Sequence, residues 1–128
     1  MTDAARARPL VLLVEDDRDS REMYAMGLDL FGLRVAAVAT GAEALLCAAR
    51  ERPDAVVTDL TLPDMDGLAL CEALGRAPDT ATVPVLALTG RSSDADLARA
   101  EAAGARRVIV KPCPPDELAD AIRALLAT

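Results

Sequence analysis

Val56-Val57-Thr58-Asp59-Leu60-Thr61-Leu62-Pro63-Asp64-Met65-Asp66-Gly67 is the stretch on which the reading of this chain turns. With Ala55 before it, it opens on small and β-branched apolar residues in an unbroken row. Such a row suits a strand buried on both faces, as in the middle of a parallel sheet. The row stops at a carboxylate, Asp59. Pro63 and the cluster Asp64-Met65-Asp66-Gly67 then mark a loop before a helix. An acid at the carboxyl end of a buried parallel strand faces the crevice in which open α/β sheets bind ligands. A lone acid could equally start a turn, so the meaning of Asp59 depends on the rest of the chain.

The same pattern recurs on either side. Residues 9–14 form an apolar run that stops at Glu15-Asp16-Asp17. A helix follows, capped by Asp17 or Asp19, with Met23, Met26 or Gly27, and Leu30 expected on its apolar side and Gly32 at its end. Residues 34–39 read as a short second strand. Thr40-Gly41-Ala42-Glu43 has the spacing of a capping box, and the helix it opens is expected to bury Leu45, Leu46 and Ala49 before Pro53. After the Asp59 strand, a helix runs from Gly67 to about Leu74. Residues 83–88 read as the fourth strand, with Pro84 tolerated near its start, and end at Thr89-Gly90. Ser93 to Asp96 again has capping spacing, and the Ala-rich helix beyond it has only Leu97 as a large apolar residue before Gly104. Val108-Ile109-Val110 is the fifth strand, ending at Lys111-Pro112. Pro114 and Pro115 open a last helix, amphipathic through Leu118, Ile122, Leu125 and Leu126.

Five alternations of strand and helix, with no repeat and no linker, predict a parallel sheet with helices on both faces. Right-handed crossovers and the chain length select the flavodoxin-like (βα)5 sandwich, a five-stranded parallel sheet of order 2-1-3-4-5. Its switch point falls between strands 1 and 3, so Asp16 is expected beside Asp59. Residues 1–8 read as a loose, flexible N-terminal tail and residues 9–128 as one domain.

Composition narrows the function. The 128 residues include one Tyr, one Phe and no Trp, so the core must be built from Val, Leu and Ala. A net charge of -7 argues against nucleic-acid binding by this domain. No apolar run approaches the roughly 20 residues of a membrane span, and the start lacks the apolar stretch of a signal peptide. No membrane partner is expected, and the location is read as cytoplasmic. Cys47, Cys71 and Cys113 are odd in number and far apart, which fits neither a disulfide framework nor a zinc site. The chain has no His, which excludes Ser-His-Asp and Cys-His catalysis and the common zinc ligand sets. A metal here must sit on oxygen ligands, which points to Mg²⁺, Ca²⁺ or Mn²⁺.

In the expected topology Glu15 and Asp16, Asp59, Thr89 and Lys111 all fall at one edge of one sheet. Each alone has an ordinary explanation, as a solvated helix start, a turn, a cap or a surface lysine. Together they outline a site. Carboxylates kept within about 4–5 Å repel by several kcal/mol at an effective dielectric near 20, and a divalent cation with waters and a phosphate oxygen relieves this. A carboxylate beside bound Mg²⁺ can act as nucleophile toward phosphorus and form an aspartyl phosphate. Lys111 would neutralise phosphoryl oxygens and Thr89 would hydrogen-bond one. Without His, the phosphoryl donor must be another molecule.

These residues resemble the receiver domain of two-component response regulators. The matching segments are Leu13-Val14-Glu15-Asp16-Asp17, Thr58 to Gly67, Leu88-Thr89-Gly90 and Val110-Lys111-Pro112, in the family's order along the whole chain. The resemblance implies that Asp59 is the phosphoacceptor. Asp16 would ligate Mg²⁺ (Mn²⁺ as an alternative) directly, Glu15 through water, and Thr61 through its backbone carbonyl. Thr89 and Lys111 would contact the phosphoryl group, and Lys111-Pro112 would be a cis bond. Thr61 and Arg91 would flank the path of water to that group. The donor would be a phosphohistidine of a sensor histidine kinase or histidine phosphotransfer protein, and the recipient of the signal a downstream effector protein or domain. Self-phosphorylation and autodephosphorylation would be its only chemistry, so it is not a turnover enzyme. The chain reads equally as a stand-alone regulator, a relay or phosphate-sink domain, or a piece of a longer protein.

Two positions depart from the family pattern. Val108 stands where the family has Tyr or Phe, and Cys113 where it has Phe after Lys-Pro. They motivate a second reading, a constitutive protein-interaction module that keeps the fold without the switch. A third, an FMN carrier, is opposed by the scarcity of aromatics and the acid-lined crevice.

Overall fold

Strands β1 (Leu10–Val14), β2 (Arg34–Val38), β3 (Ala55–Asp59), β4 (Val85–Thr89) and β5 (Arg107–Val110) are all parallel, in the order β2-β1-β3-β4-β5. They alternate with helices α1 (Arg18–Leu30), α2 (Gly41–Glu51), α3 (Gly67–Arg76), α4 (Asp94–Ala102) and α5 (Pro115–Leu126). The computed structural model describes residues 8–90 and 93–127; most of the expected tail and Arg91 lie outside the described residues.

The strands follow from their composition. β1, β3 and β4 are buried over nearly their whole length, as continuous apolar runs covered on both faces must be. Their side chains alternate between two cores. Val11, Leu13, Val57, Leu86 and Leu88 meet Tyr24 and Leu28 of α1 and Leu118 and Ile122 of α5. Leu12, Val14, Val56 and Val85 meet Ala44, Cys47 and Ala48 of α2 and Leu70, Cys71 and Leu74 of α3. A smaller cluster of Leu60, Ala87, Ala100 and Ala105 lies under α4, which buries only Ala100. All three cysteines are buried and free. The fourth strand starts at Val85, two residues later than its apolar pattern suggests. Pro84 has no N–H for the ladder, but its carbonyl still accepts from the Val56 amide at 2.9 Å.

Helix starts follow their caps. Asp17, not Asp19, caps α1 by accepting from the Ser20 amide; Thr40 accepts from Glu43, Asp66 from Leu68 and Ser93 from Asp96. Gly32 follows α1 with φ of 87° and Gly104 follows α4 with φ of 115°, a backbone region that favours glycine.

Two helix faces differ from expectation. On α1, Met23, Met26 and Leu30 are exposed, Leu30 to 82%, while Tyr24 and Leu28 point inward. The buried stripe is displaced by about one residue because Gly27 is pressed against α5: a Cβ there would come within 2.4 Å of Pro115 Cβ. The Tyr24 hydroxyl donates to the Cys113 carbonyl at 2.9 Å, which lets a polar-tipped ring enter the core. On α2, Leu46 is 70% exposed and Ala49 is exposed, while Ala44, Cys47 and Ala48 are buried and Leu45 is half-buried. The smaller residues let this helix lie close to β1.

Candidate functional site

The carboxyl ends of β1, β3, β4 and β5 bring the expected residues together. Glu15 directly follows β1, and its amide donates to the Val38 carbonyl at 3.0 Å, extending the pairing toward β2. Glu15 is 3% exposed, whereas the next residue, Asp16, is exposed. Asp59 is the last residue of β3. Carboxylate oxygens of Glu15, Asp16 and Asp59 lie within 4.8 Å of one another. At that separation each ionised pair repels by about 3–4 kcal/mol at an effective dielectric near 20.

Among the described residues, Lys111 is the cation paired with these carboxylates. Lys111 Nζ donates to Asp59 Oδ2 at 2.8 Å and to Glu15 Oε2 at 3.5 Å. The lysine reaches the site because its own amide donates to the Thr89 carbonyl at 2.7 Å, pinning the end of β5 to β4, and Lys111-Pro112 is cis, as the resemblance implied. Thr89 ends β4 and is buried at 2% exposure. On the other side of Asp59, the Thr61 amide donates to Oδ1 at 2.9 Å. Each Asp59 oxygen therefore has a donor, which fixes the plane of the carboxylate.

The partners set the protonation states. Burial pushes the Asp59 carboxyl up, but the Lys111 hydrogen bond, the Thr61 N–H and Glu15 outweigh it and hold Asp59 below the ordinary carboxylate range. Glu15 goes the other way: burial first, then its hydrogen bond with Asp59, push it up to about 7 against the attraction of Lys111. Burial would lower the Lys111 ammonium, yet its contact with Asp59 holds it above its ordinary value. The result is an ionised carboxylate, Asp59, beside an ammonium, with two further acids at hand. The donors are all oxygens, and one ammonium does not neutralise three carboxylates. Both properties fit a hard divalent cation such as Mg²⁺.

The other acids of the β3–α3 loop have different tasks. Asp66 caps α3, and Asp64 accepts from the Gly41 and Ala42 amides at the start of α2. Gly67 is required where it stands, since a Cβ would lie 2.6 Å from the Asp59 carbonyl oxygen and 2.5 Å from Leu60 Cα. Two residues were missed in the sequence. The Arg21 guanidinium donates to the backbone carbonyls of Glu15 at 3.0 Å and Asp16 at 3.3 Å, bracing the loop that carries both acids. Its signal was a basic residue near the amino end of a helix, where the macrodipole disfavours one. Asp64 had no signal beyond its place in a polar loop.

The family model described as response regulator receiver domain matches residues 11–123. The transcriptional regulatory protein PrrA of Mycobacterium tuberculosis is 43% identical over 97% of this chain and 52% of its own length. The response regulator MprA of Mycobacterium leprae is 40% identical over 91% of this chain and 50% of its own. The chain thus spans about half the length of the curated relatives it matches. Among solved structures, the chemotaxis response regulator CheY4 of Vibrio cholerae superposes with a TM-score of 0.88 at 29% identity, covering 93% of this chain and 99% of that one. The receiver domain of the sensor histidine kinase PA1611 from Pseudomonas aeruginosa, described with a magnesium ion coordinated in its active-site cleft, gives 0.88 at 30% identity over 95% and 100%. Among the described residues no helix is long and apolar enough to cross a membrane.

Proposed function

The chain belongs to the response regulator receiver domain family of two-component signalling, whose members are signalling modules rather than turnover enzymes, and we propose that Asp59 is its phosphoacceptor. The observation that carries this is the 2.8 Å contact of Lys111 with Asp59 inside a cluster of three carboxylates at the carboxyl edge of the sheet. In the proposed step an Asp59 carboxylate oxygen forms a bond to phosphorus. The P–N bond of a donor phosphohistidine breaks, and its electron pair stays on the imidazole nitrogen, which takes up a proton. The depressed pKa of Asp59 keeps the nucleophile ionised. Lys111 offers its third N–H to a phosphoryl oxygen and Thr89 its hydroxyl. Glu15, Asp16, Asp59 and the Thr61 carbonyl would hold Mg²⁺, with Mn²⁺ suited to the same donors; when bound, the cation supplies positive charge that offsets the phosphoryl and carboxylate oxygens. Water attack on the acyl phosphate would reverse the modification.

Receiver domains of response regulators interact with histidine kinases and downstream effectors. For this chain we assign a sensor histidine kinase or histidine phosphotransfer protein as donor and an effector protein or domain as recipient, in the cytoplasm. The receiver domain is drawn over residues 9–128 with residues 1–8 as a tail. Arg8 within that tail is itself tied down, donating to Asp29 Oδ1 at 2.9 Å and to the Gly32 carbonyl at 3.3 Å.

Acetyl phosphate with Mg²⁺ should add one hydroxylamine-labile phosphoryl group by intact mass, and Asp59→Asn should abolish it. A group that persists on Asp64, Asp66 or a hydroxyl would sink the assignment. One observation supports the constitutive-module reading: Val108 packs with Ala87, Ala100 and Ala105 and supplies no ring to follow Thr89. An effector affinity unchanged by phosphorylation would favour that reading.

A further inference from the structure

The β3–α3 loop is held at two places. At its base Thr61 and Asp66 form an antiparallel bridge, and the Gly67 amide donates to the Leu60 carbonyl at 3.0 Å. At its tip Asp64 places Oδ1 on the Gly41 amide at 2.8 Å and Oδ2 on the Ala42 amide at 2.9 Å. The Met65 side chain covers Gly41 so closely that a Cβ there would come within 2.4 Å of Sδ.

A helix leaves its first amides without internal partners. In α2 the Glu43 amide is taken by the Thr40 hydroxyl at 3.1 Å, and Glu43 returns its carboxylate to that hydroxyl. Thr40 and Glu43 already cap the helix from its own sequence. The two amides that precede Glu43 are bound by a residue of another loop, 22 and 23 positions away. Both oxygens of a charged group are used, at the end of the helix that attracts negative charge. The contact satisfies two amides that the helix's own cap leaves open, and its other consequence is to fix the loop.

Thr61 sits between base and tip. Its amide meets Asp59 Oδ1 at 2.9 Å, and its carbonyl is a ligand in the reading above, on which this inference rests. We propose that Asp64 is a positioning residue of the phosphoacceptor site: by gripping the amino end of α2 it fixes the tip of the β3–α3 loop and thereby holds Thr61 against Asp59. Without the grip, residues 62–65 keep the Thr61–Asp66 bridge and the packing of Leu62 and Met65 on the core but lose their polar anchor at the tip, and the Thr61 backbone gains freedom where its two polar atoms are used.

The test separates positioning from mere support of α2. Thr40→Ala removes the helix's own cap and leaves the loop contact; Asp64→Ala does the reverse. The full chain of each is compared with the parent by thermal melting, by calorimetric titration with Mg²⁺, and by the amide chemical shift of Thr61 without metal. Both variants should melt earlier. Only Asp64→Ala should weaken Mg²⁺ binding, by about three- to tenfold, and move the Thr61 amide signal. Asp64→Asn, which keeps one acceptor oxygen, should fall between and supplies the measurement if the alanine variant folds poorly. A parental Mg²⁺ affinity and an unmoved Thr61 signal in the Asp64 variants, or equal changes in Thr40→Ala, would overturn the proposal. A parent that neither binds Mg²⁺ nor accepts phosphate would instead refute the phosphoacceptor reading, and the Thr61 signal would still decide the loop contact.

Discussion

Lys111 and Asp59 meet at 2.8 Å across the ends of β5 and β3, two strands with β4 between them. The lysine side chain thus spans the strand that ends in Thr89. Its side chain is 27% exposed and that of Asp59 13%, so the pair is neither solvated nor dry. Breaking a buried pair costs about 3–5 kcal/mol and an exposed one about 0–1. Lys111→Met should lower stability at pH 7 by about 1–3 kcal/mol. Mg²⁺ should rescue the variant more strongly than it stabilises the parent, because the carboxylates then lack the Lys111 ammonium. Urea titrations with EDTA and with Mg²⁺ check this; a loss that Mg²⁺ does not reduce would contradict it.

Glu15 gives the metal-free protein a pH dependence. Its folded pKa is raised from 4.5 to about 7, by burial first and the Asp59 hydrogen bond second. Between those values the folded chain keeps a proton that the unfolded chain has lost. Stability should therefore fall as pH rises from about 5 to about 7 and level off above. Asp59 and Lys111 do not oppose this slope. Asp59 titrates below its ordinary range and Lys111 above its own, so both stay charged across the window in either state. The upper bound is about 3 kcal/mol at roughly 1.4 kcal/mol per pH unit, reduced to about 1–3 by residual solvent. Melting temperatures in EDTA from pH 5 to 8 should show the decline in the parent and a flatter profile in Glu15→Gln.

Asp16 adds a like charge to the same cluster from an exposed position. Asp16→Asn should raise the melting temperature in EDTA, by about 0.5–1 kcal/mol of stability, since solvent screens part of the repulsion. The same change should weaken Mg²⁺ binding. An unchanged or lower melting temperature would show that the three carboxylates tolerate one another without a cation.

Thr61 presents an exposed side chain while its backbone amide serves Asp59. Thr61→Ala keeps the amide and alters only what borders the approach of water. The aspartyl phosphate lifetime should change several-fold with the phosphorylated residue unchanged. Decay followed by intact mass would refute this if variant and parent coincide.

The sheet order and its polar edge were legible because both are encoded locally. Each central strand is a continuous apolar run, and Glu15, Asp59, Thr89 and Lys111 each stand where such a run stops. Helix faces were less legible. On α1 apolar residues occur on more than one side, and Tyr24, with a hydroxyl that needs a partner, reads as a poor core residue until the Cys113 carbonyl is placed beside it. On α2 the apolar residues run nearly all round, so periodicity alone cannot choose between Leu46 and Cys47; the closeness of helix to sheet does. Asp64 acts on backbone amides 22 and 23 positions away, which no local pattern marks, whereas Arg21 acts on carbonyls five and six residues back and left only the faint signal of a basic residue near a helix start.

The expected switch has to work without a ring at Val108. Phosphoryl oxygens at Asp59 would draw the Thr89 hydroxyl toward them. A side chain that followed would need reach, and Val108 is short and stiff at χ1. It packs against the cluster of Leu60, Ala87, Ala100 and Ala105 beneath α4. That helix buries one residue, an alanine, whereas α2, α3 and α5 each bury four. Little apolar area holds α4 in place, so its displacement is the least costly response of the fold. β5, hydrogen-bonded to Thr89 through the Lys111 amide at 2.7 Å, should move with it. Beryllofluoride should therefore perturb amide signals or hydrogen exchange along Asp94–Ala102 and Arg107–Val110, beyond the surroundings of Asp59. Changes confined to residues 59–61, 89 and 111 would mean that the domain holds the phosphoryl group without relaying it, and the constitutive-module reading would prevail.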